Sequence, residues 1–279
     1  MKKIFQMLGL VSLICFSFFM TEKTATVINN MDDIMIEIKK NYKKYNSDSI
    51  DAIIDENTII PGICAKEVNI NKSYKNMKQN GYYDDKLYVY DYEKPSISLS
   101  DNIDKYIIKG NPNKRMISLI FKVESSDNID DILNIVNNYN INVTFFIDSN
   151  WFTNNNELIQ EIINKGHNIG ILTDDYTDSN FEWMDMVIKK INNQKNSFCY
   201  SKEDNEKNLE ACKIKNNYTI RSIEISGKTP LTDIKKNLNA GSILSLEVNS
   251  QVRKELSTII IYIKSKGLHI DNLENHLLE

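Results

Sequence analysis

The 279 residues hold three histidines, His167, His269 and His276. No two stand three or four residues apart, the spacing by which a helix or short loop brings two imidazoles to one metal ion. The four cysteines, Cys15, Cys64, Cys199 and Cys212, contain no C-x-x-C pair, which excludes a zinc ribbon and a thioredoxin-type redox motif. Cys199 and Cys212 can either bond to each other or sit apart as two small half-buried side chains, and the second is the expectation. Carboxylates are plentiful. Asp and Glu number 38 against 34 Lys and Arg, giving a net charge of -4, which excludes binding to nucleic acid driven by charge. Aromatic residues gather in the middle of the chain: Trp151, Phe152, Tyr176, Phe181 and Trp183 suit either stacking on sugar rings or packing beneath loops. Arg221 and Arg253, two of few arginines, are available to acidic groups.

The elements that must position these residues change character near residue 115. Before it, residues 34–45 read as a short amphipathic helix with a lysine-rich end. Residues 46–114 are irregular, with tyrosine-bearing strand candidates such as Leu87–Tyr90 and punctuation at Pro61-Gly62 and Asn111-Pro112. After it, strands and helices alternate. Met116–Phe121, Val143–Ile147, Asn168–Leu172, Ser197–Tyr200, Tyr218–Ile223 and Ser242–Leu246 read as strands. Ile129–Val136, Asn154–Lys165, Phe181–Ile191 and Lys254–Lys266 carry apolar residues at helical spacing, and Gly166 and Gly267 stand where a left-handed stop belongs. Repeated β-α units imply an α/β fold with a parallel sheet covered by helices, its site on loops at the C-terminal strand ends.

At the start of the chain, Met1-Lys2-Lys3 precedes an uncharged, mostly apolar run from Ile4 to Met20, and Thr21-Glu22-Lys23 follows. That layout is a secretory leader, either cleaved or kept as an anchor. The expected organisation is therefore a signal peptide or signal anchor over 1–27, an N-terminal helix and extended arm over 28–114, and the α/β domain over 115–279. The protein is expected outside the cytoplasm, anchored or secreted, meeting the membrane only through its N-terminal segment.

Val143-Thr-Phe-Phe-Ile, then Trp151, then the stretch from Glu157 through Lys165-Gly-His-Asn-Ile-Gly170, resembles the second β-α-β unit of the polysaccharide deacetylase (NodB-homology, carbohydrate esterase family 4) family. Gly241-Ser-Ile-Leu244 resembles a late strand of that family and Lys264-Ser-Lys-Gly267 its final helix stop. In the arm, Pro61-Gly62, Val68 to Met77 and Tyr106 to Pro112 are similar to the segment preceding the catalytic domain in exported deacetylase-like proteins of spore-forming Gram-positive bacteria, a context that suggests sporulation. The resemblance spans roughly residue 60 to the end and implies a distorted (β/α)7-type barrel with an N-terminal arm. It also implies polysaccharide N-deacetylation, with zinc or another divalent metal held by one Asp and two His, a second Asp as base and a late His as acid.

Position by position, those groups are replaced. The Thr-Phe-Asp-Asp-Gly motif falls on Ile120 to Glu124, so the base Asp is Lys122 and the metal Asp is Val123. The two metal histidines fall on Leu172 and Tyr176, Arg-Pro-Pro falls near Cys199 to Ser201, and the acid His lands on Glu247. No catalytic residue is intact, and no metal is expected. Lys122, Glu124, Asp174, Asp175, Glu224, Glu247 and Trp151 remain as candidates around the pocket. They are separate loop charges in water, a set in which Lys122 supplies the cation and pairs with Glu247 or Asp174, or, in the acids, a calcium-type oxygen site. The function these residues imply is an exported deacetylase-like protein that binds cell-wall glycan (peptidoglycan) or an envelope protein without catalysing hydrolysis. Two alternatives are an active N-deacetylase with a rearranged site, and a structural docking subunit of the envelope or spore.

Overall fold

The computed structural model describes residues 29–192, 195 and 197–279, together with residues 11, 16, 17 and 20. The expected leader over 1–27 therefore lies almost wholly outside the described residues. Among the described residues no helix is long and apolar enough to cross a membrane. The described residues form two compact units, those up to residue 49 with 64–93, and those of 50–63 with 94–279. The arm expected over 28–114 is thus not one piece: 50–63 and 94–114 belong with the α/β domain.

In the first unit, α1 (Asp33–Asn41) is capped by the Asp32 carboxylate, and a 3-10 turn carries it on to Tyr45. Strand β3 (Ala65–Val68) leads into α2 (Ile70–Asn80), capped by Asn69 and ended by Gly81 at φ 82. β4 (Tyr90–Glu93) pairs antiparallel with β3. Ile38, Val68, Met77 and Tyr88 form its small core, with the Tyr45 ring 4.8 Å from that of Tyr88.

The second unit is built on an eleven-stranded sheet. β1 (Ile53–Asp55) and β2 (Thr58–Ile60) make an antiparallel pair, and β5 (Tyr106–Ile107) adds to β2 in parallel. β6 (Met116–Val123), α3 (Asp130–Asn138), β7 (Thr144–Ile147), α4 (Ser149–Asn154), α5 (Asn156–Asn164), β8 (Asn168–Ile171), α6 (Ser179–Ile191) and β9 (Phe198–Tyr200) follow as β-α units. Then come α7 (Glu206–Ile214), β10 (Tyr218–Ile220), β11 (Ile223–Glu224), α8 (Pro230–Asn237), β12 (Ile243–Glu247), α9 (Ser250–Ser265), β13 (His269–Ile270) and α10 (Leu273–Leu277). The strand order is β1-β2-β5-β10-β9-β8-β7-β6-β12-β11, with β13 beside β6, and only the β1–β2 pairing is antiparallel. The curled, parallel-rich sheet and its helices make the expected distorted (β/α) barrel, open between β1 and β11.

Strand alternation divides the apolar residues between two cores. Leu119, Phe121, Val123, Phe145, Ile147, Ile171, Leu244 and Leu246 face the helices. Ile120, Phe146, Phe198, Tyr200 and Ile243 face the lumen with Ile59 and Ile107 of the added strands. Each central strand is buried on both sides, which is why these stretches read as continuous apolar runs. Gly170 takes its place on β8 because a Cβ there would lie 2.4 Å from the Phe146 ring in the lumen.

One expectation changes here. Cys199 and Cys212 are joined as a disulfide, binding β9 to α7 with both residues fully buried. α10 lies across the strand starts, with the Leu273 N–H donating to Thr144 Oγ1 and Glu274 N–H to Asn168 Oδ1. Leu273 and Leu277 enter the lumen core, and the Glu279 carboxylate accepts the N–H groups of Gly62 and Leu99, both at 2.8 Å.

Candidate functional site

At the C-terminal strand ends the lumen opens into a cavity of about 800 Å³. Lys122 sits on its floor, because β6 places even-numbered residues on the lumen face. In the parallel register Glu247 of β12 is its neighbour. The ammonium reaches Glu224 Oε2 at 2.5 Å and lies 5.6 Å from the centre of the Tyr200 ring. Tyr200 is in turn fixed through its hydroxyl, 3.2 Å from Ser245 Oγ and 3.3 Å from Ser222 Oγ. The Lys122 side chain is only 15% exposed and that of Glu224 35%, so the pair is part-desolvated and its loss would leave a carboxylate under-compensated. The partner differs from the expected Glu247 or Asp174. Glu224 is in register with Ser245, a lumen-facing position, and so projects toward the same mouth.

The other replaced positions have become packing. Val123 faces the helices and is fully buried, and its carbonyl accepts the Asp148 N–H. Leu172 lines the cavity and packs on the lumen core. Tyr176 is 2% exposed. Its hydroxyl lies 2.8 Å from the Ile171 carbonyl and 2.9 Å from that of Tyr200, and accepts the Tyr200 N–H at 2.7 Å. β8 and β9 share a single register pair, Ile171 with Cys199. The phenol thus replaces ladder bonds where those strands part, and burial pushes its ionisation up.

Of the pocket candidates, Lys122, Glu124, Asp174 and Glu247 line the cavity, and Glu224 reaches it through Lys122. Asp175 instead braces its own turn: its carboxylate accepts from Thr177 N at 2.8 Å and Thr177 Oγ1 at 2.6 Å. Those bonds hold its carboxyl below the usual range, and Lys207 lies 3.6 Å away. Trp151 is 2% exposed, packs among the helix-side residues and donates from Nε1 to the Asp127 carbonyl at 2.7 Å. The indole is therefore core, as are Phe152 and Phe181; Trp183, 38% exposed, edges onto Phe152. Arg221 is paired with Asp204.

The residues that sequence reasoning missed are the polar walls: Ser125, Ser126, Asp148, Thr173, Tyr200, Ser201, Lys202, Glu203, Asn205 and Asn208. Most directly follow strands β6, β8 and β9, and that position was the available signal. The Cys199–Cys212 disulfide holds two of these walls together. β9 carries Tyr200 and continues into Ser201, while α7 is capped by Asn205 and carries Asn208, whose Nδ2 donates to the Asp174 carbonyl.

Zinc or a similar ion would need a carboxylate and two imidazoles at the mouth. The corresponding positions hold Val123, Leu172 and Tyr176, with an ammonium beside them. Among the described residues no group of three or more His, Cys, Asp or Glu side chains is placed to hold a metal ion. The donor set does not fit the metal. The histidines serve the fold: Val143 N–H donates to His167 Nδ1 at 3.2 Å, His276 Nδ1 lies 2.9 Å from Ser118 Oγ, and His269 is exposed on β13.

Comparison with known proteins agrees with this architecture. The family model for polysaccharide deacetylase matches residues 109–207. The uncharacterized protein YlxY of Bacillus subtilis strain 168 is 35% identical over 153 residues, 54% of this chain and 48% of that protein, so the match spans about half of the relative's length. Wild-type BA3943 of Bacillus anthracis, described as a family 4 carbohydrate esterase pseudoenzyme, superposes with a TM-score of 0.66 at 23% identity, covering 88% of this chain and 95% of that one. PdaA of Bacillus subtilis, a family 4 carbohydrate esterase, superposes with a TM-score of 0.54 at 18% identity, covering 64% of this chain and 87% of that one. Residues 109–207 are thus similar to the polysaccharide deacetylase family, and the solved structures share the fold of the chain.

Proposed function

We propose that the protein binds cell-wall glycan outside the cytoplasm and does not hydrolyse it. One observation carries the reading: the mouth of the barrel is kept as a polar cavity, while a lysine paired with Glu224 occupies the place where the family's chemistry needs a carboxylate and a metal. An ammonium neither lowers the ionisation of a bound water as a metal does nor leaves a position open for substrate oxygen. Serine, threonine and asparagine side chains around the cavity offer donors and acceptors suited to sugar hydroxyls. The buried disulfide supports an oxidising compartment, in keeping with the apolar leader after two lysines.

The test is acetate release from N-acetylated peptidoglycan and chitin oligomers, with zinc, cobalt or manganese supplied, beside co-sedimentation of the protein with insoluble peptidoglycan. Sedimentation without metal-dependent turnover is the expected result. Turnover above background, lost on adding a chelator, would refute the reading and turn attention to Asp174 and Glu247.

A further inference from the structure

The charges around the cavity are unbalanced in a way that selects among glycans. Lys122 is committed to Glu224, which leaves Lys202 as the remaining lining cation. Against it stand Glu124, Asp174, Glu203 and Glu247, none of which makes an ion pair among the described residues, and Asp148, whose carboxylate accepts from Trp151 N and Ser125 Oγ. Among the described residues the rim therefore carries more negative than positive charge. A compact divalent ion does not match it, because no three of these oxygens converge. The walls between the carboxylates carry hydroxyls and amides, from Ser125, Ser126, Thr173, Ser201, Asn205 and Asn208, beside the apolar surface of Leu172 and Tyr200. A ligand that answers both features has separated positive charges on a hydroxyl-rich frame.

Resting on the glycan-binding reading above, we infer that the cavity takes the free-amine form of its glycan, a glucosamine-type oligosaccharide, in preference to the N-acetylated form. Each ammonium of such a chain can meet one of the unpaired carboxylates while ring hydroxyls meet the Ser, Thr and Asn walls. The acetylated sugar is neutral at that position and leaves the carboxylates as they are. The protein would thus recognise what a deacetylase produces, which implies a separate amide hydrolase upstream to supply it.

The experiment is calorimetric titration of the full protein with glucosamine and N-acetylglucosamine oligomers of equal length, at mildly acidic pH and low salt, with spermine as a hydroxyl-free polycation. The expected result is binding of the glucosamine oligomer at least about tenfold tighter than either of the other two, weakening as salt is raised. Glu247→Gln with Asp174→Asn should erase about tenfold of that preference. The same double variant should leave thermal unfolding unchanged, which separates loss of recognition from loss of fold. Equal or tighter binding of the acetylated oligomer overturns the inference while sparing the glycan-binding reading. Spermine binding as tightly as the amino sugar also overturns it, and failure of both oligomers to bind removes the glycan-binding reading with it.

Discussion

Acid should loosen the floor of the barrel through one buried imidazole. Ser118 Oγ donates to the Asp271 carbonyl at 2.8 Å, so it accepts from His276 Nδ1–H. His276 Nε2 is then a bare acceptor with no partner among the described residues, and the ring fills the space a side chain on Gly110 would need, a Cβ there lying 2.1 Å from Nε2. Burial foremost, and then the positive charge of Lys114, lower its pKa from 6.5 to about 4. A depressed histidine favours the fold while neutral. Its contribution is complete above the unfolded value, is lost as pH falls toward the folded value, and changes no further below it. Linkage over that gap amounts to about 2 kcal/mol lost between neutrality and a pH of about 5, and about 3 kcal/mol by a pH near 4. In urea unfolding the first figure is a fall in midpoint of about 0.6 M or more. His276→Gln should start lower in stability yet lose about 2 kcal/mol less over the same interval. An unchanged pH dependence in the variant, or a His276 resonance titrating near 6.5 in the folded protein, would refute the reasoning.

His167 should behave in the same sense, since burial also lowers it to about 4 and its Nδ1 must stay unprotonated to accept from Val143; two-dimensional NMR titration should show both buried rings still neutral at mildly acidic pH. Breaking the Cys199–Cys212 disulfide by paired serine substitution should cost about 3 kcal/mol, the loop-closure value for their separation, read as the difference in unfolding midpoint from the oxidised protein. Tyr176→Phe leaves the Tyr200 N–H without its acceptor and should cost about 1–3 kcal/mol in denaturant unfolding, with hydrogen exchange at Tyr200 rising most. Gly170→Ala should cost about 1–3 kcal/mol, because the Phe146 ring must leave its place in the lumen. A Gly170→Ala variant as stable as the parent would show the lumen to be looser than its packing implies.

The parts of the fold most legible in the sequence were those buried on both faces. Val143–Ile147 and Ser242–Leu246 announce themselves because central parallel strands have no solvent side to dilute the pattern. β1, β2 and β5 did not, being two or three residues long. Leu87–Tyr90 was expected as a strand, but Asp84 caps a 3-10 turn there and the strand starts at Tyr90. α10 has five residues, too few to show a period. At the site, Lys122 was recognisable from its motif position, but its partner depends on a register set by strands about a hundred residues away. Trp151 suggested a sugar platform. Its burial follows from Asp148, whose carboxylate caps α4 at the Trp151 N–H and turns the indole inward, a cap signal present in Asp148-Ser-Asn-Trp151.

The interleaving of the two units bears on how the protein can be cut. A fragment starting at residue 115, where the sequence pattern changes, would discard β1, β2 and β5 along with Ile59 and Ile107 of the lumen core. β10 would become a raw edge, its backbone groups at Thr219 and Ile220 stripped of their β5 partners and ready to pair with another chain. Such a fragment would be a seed for self-association, whereas the excursion from Cys64 to Glu93 interrupts no strand of the large sheet. A smaller protein that keeps the cavity should therefore be sought by shortening that excursion, with residues 50–63 and 94–114 retained.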